Sequence, residues 1–286
     1  MVVPAGGSMG ILEAVLLGVI QGITEFLPVS SSGHLVLFQR IFGISEPALL
    51  FDTMVHVGTL AAVFAVLWKD ILGVLRRPVQ ALTGFLILAT LPAVIAALLF
   101  KDAIEGAFQS GSLLGFAFLL TSLALLISGV FAKRSGGGTG SPEAKPAMNW
   151  LDALIIGVLQ AIAIIPGVSR SGFTLSGALS RRLDRDFAAR FSFLLSIPAI
   201  LGALVLQLKD LADGSTAGNS AAGTASGGIG AGAILAGSLS AAVVGFFSVR
   251  LMLKIVRERS LAGFAVYTAV LGTLVLIDRY GTHFFF

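Results

Sequence analysis

Six apolar stretches of this chain are long enough to cross a lipid bilayer as helices, and this feature restricts the fold more than any other. A hydrocarbon core about 30 Å thick takes roughly 17 to 25 helical residues to span. With 56% hydrophobic residues, 12% charged residues and a mean hydropathy of +0.96, the chain has more apolar surface than one soluble core could bury. The sequence therefore predicts an all-α integral membrane protein with about six transmembrane helices. The predicted spans are 54–68, 82–100, 112–131, 191–208, 231–247 and 261–277.

Two further apolar segments are each broken by a cluster of Pro, Gly and Ser and then resume briefly. This pattern predicts two re-entrant helix hairpins, at 11–44 and 151–182. Irregular backbone at membrane depth is tolerated only where it is buried in protein or lines a wet cavity. The breaks, at 28–33 and 166–172, therefore indicate a functional site.

The two hairpins are related by sequence. Residues 12–33 align without gaps on 151–172, at an offset of 139, and ten of the 22 pairs are identical. Basic residues concentrate in alternate loops, and the positive-inside rule then places both termini outside and lets the hairpins enter from opposite sides. We therefore expect a single membrane domain, 1–286, made of two inverted repeats, 10–131 and 150–280. In such folds the site lies at the interface between the repeats.

Charge and residue content exclude several classes of function. The net charge is only +4 and the basic residues lie in loops, so no nucleic-acid partner is expected. With no cysteine and three histidines, Cys-ligated zinc, iron–sulfur centres and His-rich metal cages are excluded. Any metal would be a hard cation on oxygen ligands. The Gly- and Ser-rich segments 135–147 and 214–230 are interpreted as flexible loops without chemistry of their own.

The first hairpin carries a carboxylate inside the membrane. Gln21 and Glu25 are four residues apart and so share one helix face. Ionisable residues within the bilayer are costly and are most often functional. We interpret Glu25 as a metal ligand or general base, with Gln21 as a neutral oxygen ligand for Mg²⁺ or Ca²⁺. The alternative is a structural Glu25 that is hydrogen-bonded between helices.

The break of the first hairpin brings hydroxyls, a glycine and an imidazole together within a few residues. Its polar side chains are Ser30, Ser31, Ser32 and His34. Backbone N–H groups at a helix N-terminus and serine hydroxyls can bind phosphate oxygens, and His34 could act as nucleophile or proton donor. Helix capping by serine and a purely structural histidine are the alternatives.

The equivalent break of the second hairpin supplies a cation. Arg170 stands where the first break has Ser31, and its planar guanidinium can hold a phosphate through two parallel hydrogen bonds even when buried. An Arg170 that merely pairs with an intramembrane Glu is the alternative. The other phosphate-binding candidates of this break are Ser169, Ser171 and Thr174.

Two more polar groups receive no catalytic role from the sequence. Asp52 and His56, near the outer start of the first span, are expected to be interfacial. The charged run 181–186 is interpreted as a loop that sets the membrane orientation.

The stretches 21–34 and 166–172 closely resemble the two signatures of the undecaprenyl-diphosphatase family, the bacitracin-resistance phosphatases. The similarity includes both motifs, their order and spacing, and the span pattern along essentially the whole chain. The resemblance implies a multi-pass enzyme of the bacterial inner membrane that removes one phosphate from undecaprenyl diphosphate. Such an enzyme regenerates the carrier lipid for peptidoglycan synthesis and confers bacitracin resistance.

The resemblance also implies roles for individual residues. The matching positions are the metal-binding and activating pair Gln21 and Glu25, the hydroxyl and imidazole positions Ser31, Ser32 and His34, and the phosphate-binding positions Ser169, Arg170 and Thr174. Because position 21 is glutamine, Glu25 is the only carboxylate of the first signature.

The expected mechanism combines these groups. Mg²⁺ or Ca²⁺ and Arg170 would neutralise the diphosphate, and serine hydroxyls and loop amides would orient it. His34, Ser31 or a water molecule would attack the terminal phosphorus, and the sequence does not choose among these three. The small-residue faces Gly18-x-x-x-Gly22 and Gly157-x-x-x-Ala161 are expected to pack the hairpins on each other and so bring the carboxylate to the guanidinium.

A transporter that flips undecaprenyl phosphate is the main rival, since inverted repeats with broken helices are also a transporter architecture. The cluster of Glu25, Ser31, His34 and Arg170 has more reactive groups than phosphate binding needs, which favours the phosphatase. The hairpin that carries Glu25 and His34 enters from outside, so we expect the site to open to the extracytoplasmic side. The expected partners are the lipid diphosphate and the bilayer, and a homodimer is left open.

Overall fold

The computed structural model describes residues 9–44, 49–134, 147–212 and 229–284, and this part of the chain is helical or irregular, without a β-strand. The predicted all-α fold is thereby confirmed. The helices are, in chain order, α1 (Ile11–Thr24), α2 (Ser31–Ile41), α3 (Leu49–Val66), α4 (Trp68–Arg76), α5 (Ala81–Leu99), α6 (Lys101–Ser110), α7 (Leu114–Arg134), α8 (Trp150–Ile162), α9 (Arg170–Ser180), α10 (Arg185–Ala212), α11 (Ala231–Glu258) and α12 (Ala262–Ile277).

Among the described residues, five helices are long and apolar enough to cross a bilayer, and a sixth span results if α3 and α4 are one segment bent by 80°. The five are α5, α7, α10, α11 and α12. Large apolar side chains project outward from them, for example Leu99, which is 71% exposed, and Leu239, which is 67% exposed. Such exposure is acceptable only where lipid replaces water. Five of the six predicted spans coincide with these helices, and the sixth, 54–68, falls on α3 and the first residue of α4.

Two segments that charge counting assigns to loops are short helices. In α4, Ile71 is buried whereas the charged Lys69 and Arg76, which are seven residues apart and share the opposite face, are exposed. The 80° bend after α3 turns α4 away from the span direction. A short amphipathic helix with this orientation is typical of a segment at the membrane surface. The second such helix, α6, replaces the loop predicted after α5.

The first helix of each hairpin packs mainly on a span from the other half of the chain. Helix α1 lies along α11 and α8 lies along α5, while α3 packs on α11 and α10 on α5. Each first helix also packs on the second helix of its own hairpin, α1 on α2 and α8 on α9. Equivalent elements therefore make equivalent contacts, as two duplicated halves should. The inverted orientation of the halves stays a prediction.

Glycines explain why these contacts are so close. A Cβ atom added at Gly18 would lie 2.1 Å from the backbone oxygen of Gly237 in α11, and one at Gly157 would lie 2.7 Å from that of Ala89 in α5. The small-residue faces of the hairpins thus contact α11 and α5. The expectation that these faces pack the hairpins on each other is wrong, because the close-packing partner of each face is a span of the other half.

Substituting Gly18 by alanine is expected to destabilise the fold, because the new methyl group must displace the backbone at Gly237. Overpacking of this kind costs about 1–3 kcal/mol, so the thermal midpoint in detergent should fall. Gly84→Ala in α5 is the matched control, since an added Cβ there has nothing within 4 Å. Equal midpoints for the two variants would contradict the packing described for α1 on α11.

Ion pairs join α4, α10 and α11 at one end of the bundle. Arg190 donates from Nη1 to Asp70 at 2.7 Å and from Nε to Asp186 at 3.0 Å, and Arg257 donates to Asp186 at 2.7 Å. The charged run 181–186 therefore also contributes to helix packing, through Asp186 in the first turn of α10. The positive-inside rule predicts that this end is cytoplasmic, which stays a prediction.

The Gly- and Ser-rich segments 135–147 and 214–230, predicted as flexible loops, lie almost wholly outside the described residues. The two ends of the chain, 1–8 and 285–286, lie outside them as well.

Candidate functional site

The site forms where the tips of the two hairpins meet. Glu25 directly follows α1, and Arg170 is the first residue of α9. Arg170 donates from Nη2 to Oε1 of Glu25, and its Nη1 lies 3.4 Å from the backbone oxygen of Ser196 in α10. The side chain of Glu25 is 3% exposed and that of Arg170 is 20% exposed. One buried ion pair thus joins the two halves of the chain.

Serine caps shape both tips in the same way. The amide of Gly33 donates to Ser30 Oγ at 3.2 Å, and the amide of Gly172 donates to Ser169 Oγ at 3.0 Å. These bonds satisfy donors that the first turns of α2 and α9 leave free. Both helices therefore begin directly after a capping serine. The positive ends of their dipoles lie at the junction of the hairpins and favour an anion there.

Glu25 is held by several donors besides Arg170. Its Oε2 accepts hydrogen bonds from Ser31 Oγ at 2.6 Å and from Gln21 Nε2 at 2.8 Å. His56 Nε2 lies 3.4 Å from the same oxygen and forms an ion pair with it when protonated. A buried carboxylate needs such partners, and here they also fix the direction of the Ser31 hydroxyl.

Two hydrogen bonds run directly between the hairpin tips. The amide of Gly167 donates to Ser32 Oγ at 3.3 Å, and Ser171 Oγ donates to the backbone oxygen of Leu27 at 3.1 Å. The backbone at Gly167 has φ +88°, a conformation that favours glycine and allows the loop to approach Ser32. These bonds hold the two tips against each other.

A cavity of about 360 Å³ opens at this junction. Its polar wall is formed by Glu25, Ser31, Ser32, Asp52, Thr53, His56, Ser169, Arg170 and Ser171. Its apolar wall is formed by Leu35, Phe108, Ala163, Ile164, Val168, Ala199, Ile200 and Ala203. Glu25 is buried and Ala203 is exposed, so the cavity runs from a charged inner end to an apolar rim on α10.

Six of the site residues expected from the sequence line this cavity. They are Glu25, Ser31, Ser32, Ser169, Arg170 and Ser171. Four others lie outside its lining, namely Gln21, Ser30, His34 and Thr174. The expectation of one shared pocket is corrected for these four. On α2, Ser31, Ser32 and Leu35 line the cavity, whereas the ring of His34 lies against Tyr267 and Phe118.

The four residues outside the lining form hydrogen bonds with residues of the hairpin tips. Gln21 is fully buried and donates to Glu25. Thr174 donates to the backbone oxygen of Arg170 at 2.9 Å and shares a 2.6 Å hydrogen bond with Ser192. These contacts orient the residues that do face the cavity. The expected catalytic or phosphate-binding roles of the four stay predictions.

Asp52 and His56 line the cavity although the sequence suggested an interfacial position for them. His56 Nδ1 donates to the backbone oxygen of Asp52 at 2.6 Å, and Gln39 donates to Asp52 Oδ1 at 2.6 Å. The two residues are four apart on α3, so they share one face. Two ionisable groups on one face of a membrane span are a signal for a site, and this signal could have found them.

The oxygen donors around Glu25 fit a hard divalent cation. Gln21 Oε1 is buried and has no hydrogen-bond partner within the described part of the chain, so one amide oxygen is left for a ligand. The described residues contain no group of three or more His, Cys, Asp or Glu side chains that could hold a metal alone. Mg²⁺ is commonly held by one or two carboxylates together with substrate phosphates. The residues therefore suit a cation that binds together with a phosphate ligand.

Comparisons with known proteins give consistent results. A protein-family model described as "Bacitracin resistance protein BacA" matches residues 14–274. An undecaprenyl-diphosphatase of Carboxydothermus hydrogenoformans is 44% identical over 271 residues, which are 94% of this chain and 97% of the relative. Undecaprenyl-diphosphatase 4 of Bacillus thuringiensis is 41% identical over 277 residues, 97% of this chain and 100% of the relative. Undecaprenyl-diphosphatase 3 of Bacillus cereus is 42% identical over 272 residues.

Proposed function

The chain belongs to the BacA family of bacitracin resistance proteins, and on this premise we propose that it dephosphorylates undecaprenyl diphosphate to undecaprenyl phosphate within the membrane. This reaction regenerates the carrier lipid for peptidoglycan synthesis. It also removes the diphosphate form of the lipid, which accounts for bacitracin resistance as a property of the family.

The form of the cavity is the observation that carries this proposal. Its inner end holds a guanidinium, serine hydroxyls and two helix N-termini, which suit a diphosphate. Its rim is apolar and includes Phe108, Ile164 and the exposed Ala203. A diphosphate bearing a prenyl chain needs both surfaces in one site. A soluble phosphate ester would need only the polar inner end of the cavity.

The residues divide the chemical work. Arg170 and the amides at the start of α2 and α9 bind the phosphate oxygens and stabilise negative charge as it develops. Ser31 Oγ already donates to Glu25, so Glu25 can accept the proton of an attacking hydroxyl. Either Ser31 Oγ or a water in its place attacks the terminal phosphorus. The bond from that phosphorus to the bridging oxygen breaks, and undecaprenyl phosphate leaves; if Ser31 attacks, a water molecule then hydrolyses the phosphoserine and releases phosphate.

A divalent cation is part of this proposal. Glu25 at the cavity wall and the buried Gln21 beside it would hold the cation, which would neutralise phosphate charge when bound. The unpartnered Gln21 Oε1 supports this assignment.

We also propose that the site opens to the extracytoplasmic side of the bacterial inner membrane. Asp52 and Thr53 of the cavity lie at the start of α3, whereas Asp70, just after its end, binds Arg190. Along α10, Ala203 is 13 residues beyond Arg190, about 20 Å of helix. The cavity is therefore far from the basic end of the bundle. That separation supports access from the outer side.

The test is phosphate release from undecaprenyl diphosphate by the purified protein in detergent, with and without EDTA. We expect release in Mg²⁺ or Ca²⁺ and its loss in EDTA. A folded protein that binds the lipid but releases no phosphate with either cation would contradict the phosphatase and favour a lipid transporter.

A further inference from the structure

We propose that His34 is a positioning residue, which holds the backbone of Ser30 and through it the hydroxyl of Ser31, and that it is neither nucleophile nor proton donor. This inference rests on the phosphatase activity proposed above. It assigns the imidazole to the support of the loop, and it leaves the reacting hydroxyl to Ser31 or to water.

Both ring nitrogens of His34 are already engaged. Nδ1 lies 2.6 Å from the backbone oxygen of Ser30, and since a carbonyl can only accept, Nδ1 carries the hydrogen. Nε2 is then the acceptor of the neutral ring, and the hydroxyl of Tyr267 donates to it at 2.7 Å. Neither nitrogen is free to attack or to protonate a substrate.

The ring is also shut off from the cavity. His34 is 2% exposed and does not line the cavity wall. It stacks on Tyr267, with ring centroids 5.7 Å apart and planes within 9°, and meets Phe118 edge-on at 5.5 Å. An attacking atom must come within roughly 3–3.5 Å of the phosphorus in line with the leaving group. A ring held between two aromatic side chains cannot do this.

The bond to Ser30 supports a strained backbone. Ser30 has φ +72° and ψ +96°, a positive-φ conformation that residues other than glycine rarely adopt. The carbonyl of Ser30 accepts two hydrogen bonds from His34, from the backbone amide at 3.2 Å and from Nδ1. A strained conformation of this kind persists only where such contacts over-determine it.

The second hairpin provides an internal comparison. At the offset of 139, Ser169 corresponds to Ser30 and Phe173 corresponds to His34. Ser169 caps α9 with φ −76° and ψ +113°, an ordinary extended conformation. Where the imidazole is replaced by a phenyl ring, the capping serine is not strained. The unusual backbone therefore occurs in the hairpin that has the histidine.

The conformation of Ser30 determines where the side chain of Ser31 lies. Ser31 begins α2 directly after Ser30, and its hydroxyl reaches Glu25 at 2.6 Å. If Ser30 relaxed to an extended conformation, the first turn of α2 would rotate and Ser31 would leave Glu25. His34 thus acts on the reaction through the position of a hydroxyl that it does not touch.

Asparagine and glutamine substitutions distinguish the contribution of Nδ1 from that of Nε2. The amide nitrogen of Asn reaches the place of imidazole Nδ1, and that of Gln reaches the place of Nε2. We expect His34→Asn to keep phosphate release within about tenfold of the wild type, and His34→Gln and His34→Ala to lose about 100-fold, the effect of a misplacement near 1 Å. The loss should appear in kcat, with KM for undecaprenyl diphosphate within about threefold, because His34 does not line the cavity.

Thermal midpoints accompany each rate, and the wild-type enzyme is also quenched during turnover to trap any phospho-enzyme. His34→Asn as inactive as His34→Ala at an unchanged midpoint would overturn the proposal. An acid-labile phosphate mapped to His34 would overturn it even if His34→Asn failed to fold. A wild-type protein without phosphate release would instead overturn the proposed function, so the two failures are distinguishable.

Discussion

Replacing Arg170 by glutamine is expected to lower kcat/KM for undecaprenyl diphosphate by about 10³-fold or more. Arg170 is the cation in the polar wall that comes from the second hairpin, and it reaches across to Glu25. Charge develops on the phosphate oxygens as the bridging bond breaks, and arginines aimed at such charge are worth about 10³ to 10⁵ in phosphoryl transfer. Phosphate release from the lipid in detergent measures the effect.

Two further variants make this result specific. Arg170→Lys keeps the charge but loses the planar fork, so its activity should fall between the wild type and Arg170→Gln. Arg76→Gln, an exposed arginine at the end of α4, is the matched control and should keep full activity. If Arg170→Gln kept more than about a tenth of the wild-type rate, phosphate binding by Arg170 as described here would be untenable.

Substituting Glu25 by glutamine is expected to lower kcat by about 10²- to 10⁴-fold, the usual contribution of a positioned general base. The amide keeps the size of the side chain but cannot take the proton of Ser31, whose hydroxyl donates to Glu25 at 2.6 Å. Single-turnover measurement of phosphate release reports this step separately from lipid binding. A rate within threefold of the wild type would remove Glu25 from the reaction.

The same pair predicts an order of stabilities. Removing one partner of a buried ion pair costs about 3–5 kcal/mol, because the other charge is left without compensation. Arg170→Gln strands the carboxylate of Glu25, which is 3% exposed, whereas Glu25→Gln strands the guanidinium of Arg170, which is 20% exposed. Arg170→Gln should therefore melt lowest of the single variants, with EDTA present so that no cation replaces the arginine.

The double variant provides the check. Glu25→Gln combined with Arg170→Gln leaves no unpaired charge, so it should melt higher than Arg170→Gln alone. Additive losses from the two substitutions would mean that the pair is not coupled, contrary to the contact between Arg170 Nη2 and Glu25 Oε1.

The spans and hairpins could be predicted from the sequence because their signals are local. Uninterrupted apolar length identified helices such as α5 and α7, and the Pro, Gly and Ser clusters identified the breaks before α2 and α9. The gapless alignment of the two hairpins also placed Arg170 opposite Ser31. Complementary charges in the two related hairpins were then enough to expect Glu25 and Arg170 in one site, and the structure joins them.

The rest of the site could not be predicted in this way. Asp52 and His56 join the cavity because the N-terminal end of α3 lies beside the tip of the first hairpin. His34 was expected to face the phosphate, but the structure turns its ring toward Tyr267, which is 233 residues further along the chain. No short-range pattern reports such a neighbour.

The sequence by itself determined the membrane class, the long apolar helices, the positions of the two helix breaks and the charged pair beside them. Hydropathy, helix-breaking clusters and duplication are properties of short segments, so they can be recognised without knowledge of the fold. Only the tertiary structure decided which faces meet: Gly18 against α11, α3 beside Glu25, and His34 behind Ser30. These choices depend on the steric fit of backbones far apart in sequence, where a single methyl group or one turn of helix changes the partner.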